Sequence, residues 1–231
     1  MKRSRTLPVH MVSALVLASA TTFVAAPASG QDVADIDYAY LSLRGIAPEF
    51  GYFWSDRVEP TQTYGLRVDM GYAGPGLRVT PSLTYWRSRL ERAEVDELAD
   101  QVSDLVAART GGPRPNLDLG TIDYQDIAIG LDTHVVWELP FDLLTFGGLG
   151  VSAHIIDGDG IAIQGTFVED LLDTVLPGVN LHLGAEYPVT NGMRLYAVGR
   201  YEVMPNLQYA QLRAGWQLMF GPNAPGEGRN D

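Results

Sequence analysis

Between Thr63 and Trp86 the side chains alternate. Tyr64, Leu66, Val68, Met70 and Tyr72 take every second place, and Leu77, Val79, Leu83 and Tyr85 do so again after a Gly-Pro-Gly turn. Arg67, Asp69, Arg78, Thr80, Ser82 and Thr84 fill the places between. A helix would scatter such a period of two around its circumference, whereas a strand sorts it onto two faces. The segment is therefore a β-hairpin with one apolar and one polar face. A soluble sheet turns the apolar face to a core. A membrane barrel turns it to lipid and keeps the polar face inside.

The same pattern recurs after Gln31 until eight alternating segments are counted. The first covers Tyr38–Trp54, with its phase blurred and a bulge expected at Gly45–Pro48. After the hairpin come Thr121–Leu139, Leu143–Ile156, Val179–Tyr187, Met193–Val203 and Leu207–Phe220. The connections Ala73–Gly76, Pro140–Asp142 and Val189–Gly192 are tight. Those at the other end include two long loops, Arg89–Gly120 and Asp157–Gly178. Short turns at one end and long loops at the other are the habit of outer-membrane barrels.

The polar faces carry Arg67, Arg78, Arg194, Arg200 and Arg213 against Asp69, Asp126, Asp132, Glu138, Glu186 and Glu202. These charges nearly balance, although the whole chain has a net charge of −12. A solvated face has no need of balance, but a closed interior does, because a buried unpaired charge costs several kcal/mol. The apolar faces end in aromatics: Tyr72, Trp137, Tyr187 and Phe220 by the tight turns, Tyr64, Tyr85 and Tyr201 by the long loops. Tyr64 and Tyr72 are eight residues apart, roughly 20 Å across a bilayer for a strand tilted by about 40°. Two girdles on the apolar face place that face outside.

The start of the chain fits this destination. Lys2, Arg3 and Arg5 precede an apolar stretch, Met11–Ala26, and Ala28 and Gly30 precede a cut before Gln31. Residues 1–30 thus read as a secretory signal peptide, 31–220 as the barrel and 221–231 as a flexible tail. Cysteine is absent, which removes a disulfide framework and a lipoprotein anchor. The acidic balance argues against nucleic acid as a partner.

Residues 31–220 resemble the small eight-stranded outer-membrane barrels of the OmpA, OmpX and OmpW kind. The resemblance rests on the alternating strands, the turn asymmetry and the final strand "AQLRAGWQLMF", which ends at Phe220. It implies an all-β, antiparallel up-and-down transmembrane barrel in the cell outer membrane. The implied partners are membrane lipid, lipopolysaccharide and the assembly machinery that reads a terminal aromatic. The tail after Phe220 departs from that pattern.

Candidate chemistry is sparse. His134, His154 and His182 lie on polar faces without metal-ligand spacing. Ser152 and His154 share a strand face, a pairing that could hold a nucleophile and a base. The order Ser-x-His is the reverse of that expected for the lipid A deacylases. "DGDG" at Asp157–Gly160 lacks the later acidic ligands of a calcium loop. We expect no cofactor, no metal and no enzymatic role.

The long loops are more informative. Val95, Leu98, Val102, Leu105 and Val106 form a helical stripe in the first, and Phe167, Leu171, Leu172 and Val175 a shorter one in the second. Two short helices either cap the barrel mouth or frame a surface for a partner. Phe50, Tyr52, Phe53 and Trp54 cluster near that mouth. With Val95, Leu98, Val102, Leu105, Phe167 and Leu171 they offer an OmpW-like site for a small apolar ligand. The leading expectation is a structural or surface-interaction role with no wide pore. A soluble periplasmic ligand-binding barrel is the less favoured alternative.

Overall fold

The structure is a computed structural model that describes residues 41–220 except Pro75 and Asn206. The expected signal peptide, the start of the first segment at Tyr38 and the tail 221–231 lie outside the described residues. The elements in chain order are β1 (Gly45–Ser55), β2 (Thr61–Asp69), β3 (Tyr72–Gly74), β4 (Leu77–Arg89) and α1 (Arg92–Thr110). They continue with β5 (Asp123–Leu139), β6 (Leu143–Asp159), α2 (Phe167–Leu172), β7 (Thr174–Thr190), β8 (Met193–Met204) and β9 (Leu207–Met219).

Neighbouring strands pair antiparallel throughout, and β1 pairs with β9, closing the sheet into a barrel. Closure leaves no free edge on this sheet among the described residues. Segments β2 and β3 are two parts of one barrel strand, so eight strands line the wall. Both pair with β4, but Arg67 faces Ser82 while Tyr72 faces Arg78, a slip of one residue between them. Gly71 absorbs the break with a φ of 73°. The slip reverses the alternation, so Tyr72 is a correction to the expected girdle: it points inward and is 7% exposed.

The expected bulge in the first segment is also corrected. Ile46, Ala47 and Pro48 face Val68, Arg67 and Leu66 in one unbroken register. Strand β1 therefore alternates cleanly, with Ala47, Glu49 and Phe53 buried inside and Phe50, Tyr52 and Trp54 exposed outside. Strand β7 begins at Thr174, earlier than the alternation suggested, which places Val175 on the outer face and shortens the second long loop.

The burial pattern answers which face of the opening hairpin is inside. Burial alternates strictly along the middle of β5 and along β9, enclosing Asp126, Asp132, His134, Gln211, Arg213 and Gln217 and exposing Ile127, Ile129, Leu131, Val135, Leu212, Trp216 and Leu218. Leu149, Val151, Leu181 and Leu183 stand in the open, while Asp132, His154, Glu186 and Glu202 are enclosed. Such an inversion of the usual soluble pattern is stable only where lipid covers the outside. Among the described residues no helix is long and apolar enough to cross a membrane, so crossing is the work of the strands.

Candidate functional site

The inward side chains fill the barrel in successive layers. Near the tight turns Glu186 is the hub. Arg78 grips it with both terminal guanidinium nitrogens, at 2.7 and 2.9 Å. Arg67 binds the same carboxylate, and Arg194 stands 3.5 Å from it. Arg67 also donates to Gln217 at 2.7 Å, and Gln217 donates to Asp69 at 2.8 Å. The Arg67 guanidinium lies 4.0 Å from the centre of the Tyr196 ring, a cation–π contact. Planar guanidinium groups suit this work because each serves several acceptors in a fixed fork.

In the middle layer Arg213 donates to Glu49 at 2.7 Å and to Thr84 at 3.0 Å, while the Tyr196 hydroxyl donates to Glu49 at 2.9 Å. Arg200 joins Asp132 at 2.9 Å to Glu202 at 2.7 Å. Inward glycines make room for these long side chains. A Cβ at Gly150 would lie 1.9 Å from an Asp132 carboxylate oxygen, and one at Gly178 would lie 2.4 Å from the Ser152 hydroxyl.

Asp132, His134 and His182 bring three metal-competent donors within 4.8 Å of one another, a convergence set by strand register, since Gly148 of β6 pairs with both His134 and His182. Their hydrogen bonds argue for a polar network rather than a cation site. Arg200 already occupies Asp132, and Asn180 binds its other oxygen at 3.1 Å. Arg78 has two nitrogens at 3.2 and 3.4 Å from His134 Nδ1. Arginine can only donate, so that nitrogen is an acceptor and the His134 proton sits on Nε2. A cation there would have to displace the guanidinium groups of Arg200 from Asp132 and Arg78 from His134.

Ser152, His154 and Asp126 adopt the outline of a nucleophile–base–acid series. Ser152 Oγ is 2.9 Å from His154 Nε2, and His154 Nδ1 is 2.7 Å from Asp126. The proton directions differ from those of a catalytic series. Ser152 gives its single hydroxyl proton to Glu202. His154 Nε2 must then donate to Ser152, and a base needs that nitrogen as an acceptor. The group is enclosed beneath an aromatic plug, away from any lipid ester.

That plug closes the loop end of the interior. Phe53, Trp86 and Tyr209 are buried with Ile156, Met204 and Leu207. Phe53 stacks on Trp86 at a centroid distance of 4.5 Å and lies 4.7 Å from Tyr209. Above it α1 packs through Val95, Ala99 and Val102 against Leu119, Ile122, Ile163 and Val168, with Leu98 partly buried against them. Gly111 ends α1 in the left-handed conformation, and its N–H returns to the Ala107 carbonyl. Thr166 caps α2, accepting from the Val168 N–H at 3.3 Å. The cap is strapped to the rim by the Arg57–Glu94 ion pair and by the Glu91 N–H on the Arg57 carbonyl at 2.9 Å.

The expected site residues separate accordingly. Arg67, Asp69, Arg78, Asp126, Asp132, Glu186, Arg200, Glu202 and Arg213 meet inside, and Arg194 sits at the edge of that group. Glu138 is a correction: it keeps the inward parity but lies past the last enclosed rung, and it is exposed. Tyr64, Tyr85, Tyr187, Tyr201 and Phe220 stand exposed on the outer face, with Trp137 half-buried beside them. Phe50, Tyr52 and Trp54 are outside too and cannot line a mouth; only Phe53 of that cluster turns in. Leu105, Phe167 and Leu171 are exposed on the outside of the cap, while Ala99 and Val168 take packed positions. Glu49 and the plug were missed from sequence. The signal was present in Ala47, Glu49, Gly51 and Phe53, an alternation obscured by Gly45 and Pro48.

No family model matches the chain, and no curated protein does. Among solved structures it is similar to Neisserial surface protein A, with 16% identity over 77% of this chain and 97% of that one, at a TM-score of 0.48. It is also similar to Ail, the attachment invasion locus protein of Yersinia pestis, with 12% identity over 77% and 99%, at 0.46. The N-terminal β-barrel domain of Pseudomonas aeruginosa OprF gives 12% identity over 78% and 99%, at 0.42. At these levels the likeness lies in the barrel. The membrane reading stands on this chain's own side chains, apolar on every outer strand face and charged within. It is a small eight-stranded membrane barrel, an architecture of the outer membrane.

Proposed function

We propose that this barrel serves the outer membrane as a structural or surface-contact protein, and that it is not a passage. The observation that carries this reading is the filled interior. Paired charges occupy its lower layers, and the Phe53–Trp86–Tyr209 plug lies under the α1 cap. An eight-stranded barrel is just wide enough for its own side chains. The cap would then meet the exterior through the acidic outer side of α1, where Asp96, Glu97, Asp100 and Asp104 are exposed. Lipopolysaccharide, joined through divalent cations, is the partner this chemistry suits. The assembly machinery would act on the final strand ending at Phe220.

The apolar-ligand alternative loses its motivation, because Phe50, Tyr52 and Trp54 face outward. Catalysis is no part of the proposal, for His154 is set as a donor on both sides. The test is conductance in a planar bilayer with the refolded full chain, alongside gel mobility of unboiled and boiled samples. A faster unboiled band without discrete channel openings is expected. Steady openings that survive in the purified protein would overturn the closed interior.

A further inference from the structure

The described backbone enters the left-handed region at Gly71, Gly76, Gly111, Gly120 and Gly165. It does so without glycine at two neighbouring residues, Phe141 with φ 71° and Asp142 with φ 59°. Both belong to the turn Pro140–Asp142 that joins β5 to β6 beyond the Leu139–Leu143 pair. Glycine or asparagine enters this region cheaply, whereas a bulky aromatic is strained there. Strain held at one residue asks what its side chain does. Packing inside the protein is not the answer, since Phe141 is 89% exposed.

The column that leads to it is informative. Val135, Trp137 and Leu139 follow one another on the outer parity of β5, and Leu143 resumes it on β6. Phe141 stands at the tip, as the outermost member of a lipid-facing series. On the same end Tyr187 and Phe220 are exposed on the outer face. We propose that Phe141 is a membrane-interface anchor, held by its strained turn in the headgroup–acyl boundary of the leaflet nearest the tight turns. Its occupant is lipid, because the surface is continuous with the lipid-facing belt. The inference rests on the membrane reading above.

The chain has no cysteine, so single labels are straightforward. Phe141→Cys, Leu181→Cys and Gln101→Cys would each carry a polarity-sensitive fluorophore on the full chain, refolded into phosphatidylcholine vesicles containing nitroxide-labelled lipid. Leu181 is mid-belt and 60% exposed, and Gln101 is exposed on α1. Lipid quenching at 141 should exceed that at 101 by at least about twofold, as it should at 181. Quenching at 181 but not at 141, with iodide reaching 141, overturns the anchor and leaves the membrane barrel standing. No quenching at 181 overturns both. Phe141→Gly is the label-free check. It relieves the strain, so a raised urea midpoint in vesicles overturns the anchor, and an unchanged or lowered one supports it.

Discussion

The two ends of the barrel interior are sealed by different physics. At the tight-turn end Glu186 holds Arg67, Arg78 and Arg194, with Asp69 and Gln217 completing the set. At the loop end Phe53, Trp86 and Tyr209 pack among Ile156, Met204 and Leu207. The first seal is directional: each group is buried at the cost of its hydration and is tolerable only with its partners present. The second is non-directional, and its strength follows volume and area. A charged seal should therefore fail abruptly when one member is removed, and an apolar seal in proportion to the cavity left.

The largest effect should come from Glu186→Ala, which leaves guanidinium groups enclosed without their carboxylate. A loss of about 3–5 kcal/mol is expected, read as the urea midpoint of the barrel in vesicles. Adding Arg67→Met and Arg78→Met should return part of that loss; no recovery would show that unpaired charge is not the cause. Phe53→Ala should cost slightly less, about 3 kcal/mol, by opening a cavity beside Trp86. If it also opens a conductance, the plug is what blocks the barrel.

Gly150→Ala probes the middle layer between the two seals. Its new Cβ would press on Asp132, and a cost of about 1–3 kcal/mol is expected from unfolding curves. The smallest effect belongs to Arg57→Ala. The Arg57–Glu94 strap is partly exposed, with side-chain exposures of 40% and 20%, so global stability should change by about 1 kcal/mol or less. Protease cleavage within α1 should nevertheless quicken. An unchanged cleavage rate would mean that the packing of Val95 and Val102 holds the cap unaided.

Much of this molecule is legible in its sequence. The period of two in β4, β5, β7 and β9 sets which residues share a face, because a strand's geometry allows no other sorting. The near balance of charge on the polar faces marked that side as the enclosed one. The face assignment failed where local chemistry broke the count. At Met70–Gly71 a one-residue slip turned Tyr72 inward, and a slip in register is a property of two strands, not of one. At Gly45–Pro48 the opposite happened: residues that suggest a bulge run straight, because β2 pairs with all four and β9 holds Gly45, Ile46 and Glu49 in one register.

Partners across the barrel were beyond reach of the sequence. Arg67 and Glu186 are 119 residues apart, and Arg213 and Glu49 are 164 apart. Nothing local in the chain specifies which arginine meets which carboxylate; that is settled by the register of every strand between them. Glu138 shows the same limit, since parity assigned its face while only the barrel's length decided that it lies past the enclosed region. The sequence by itself determined strands, faces and the inside-out distribution of charge, all of which follow from short-range periodicity. Tertiary structure alone decided the pairing network, the aromatic plug and the packed face of the cap. Those depend on closure, which brings together residues that the chain keeps far apart.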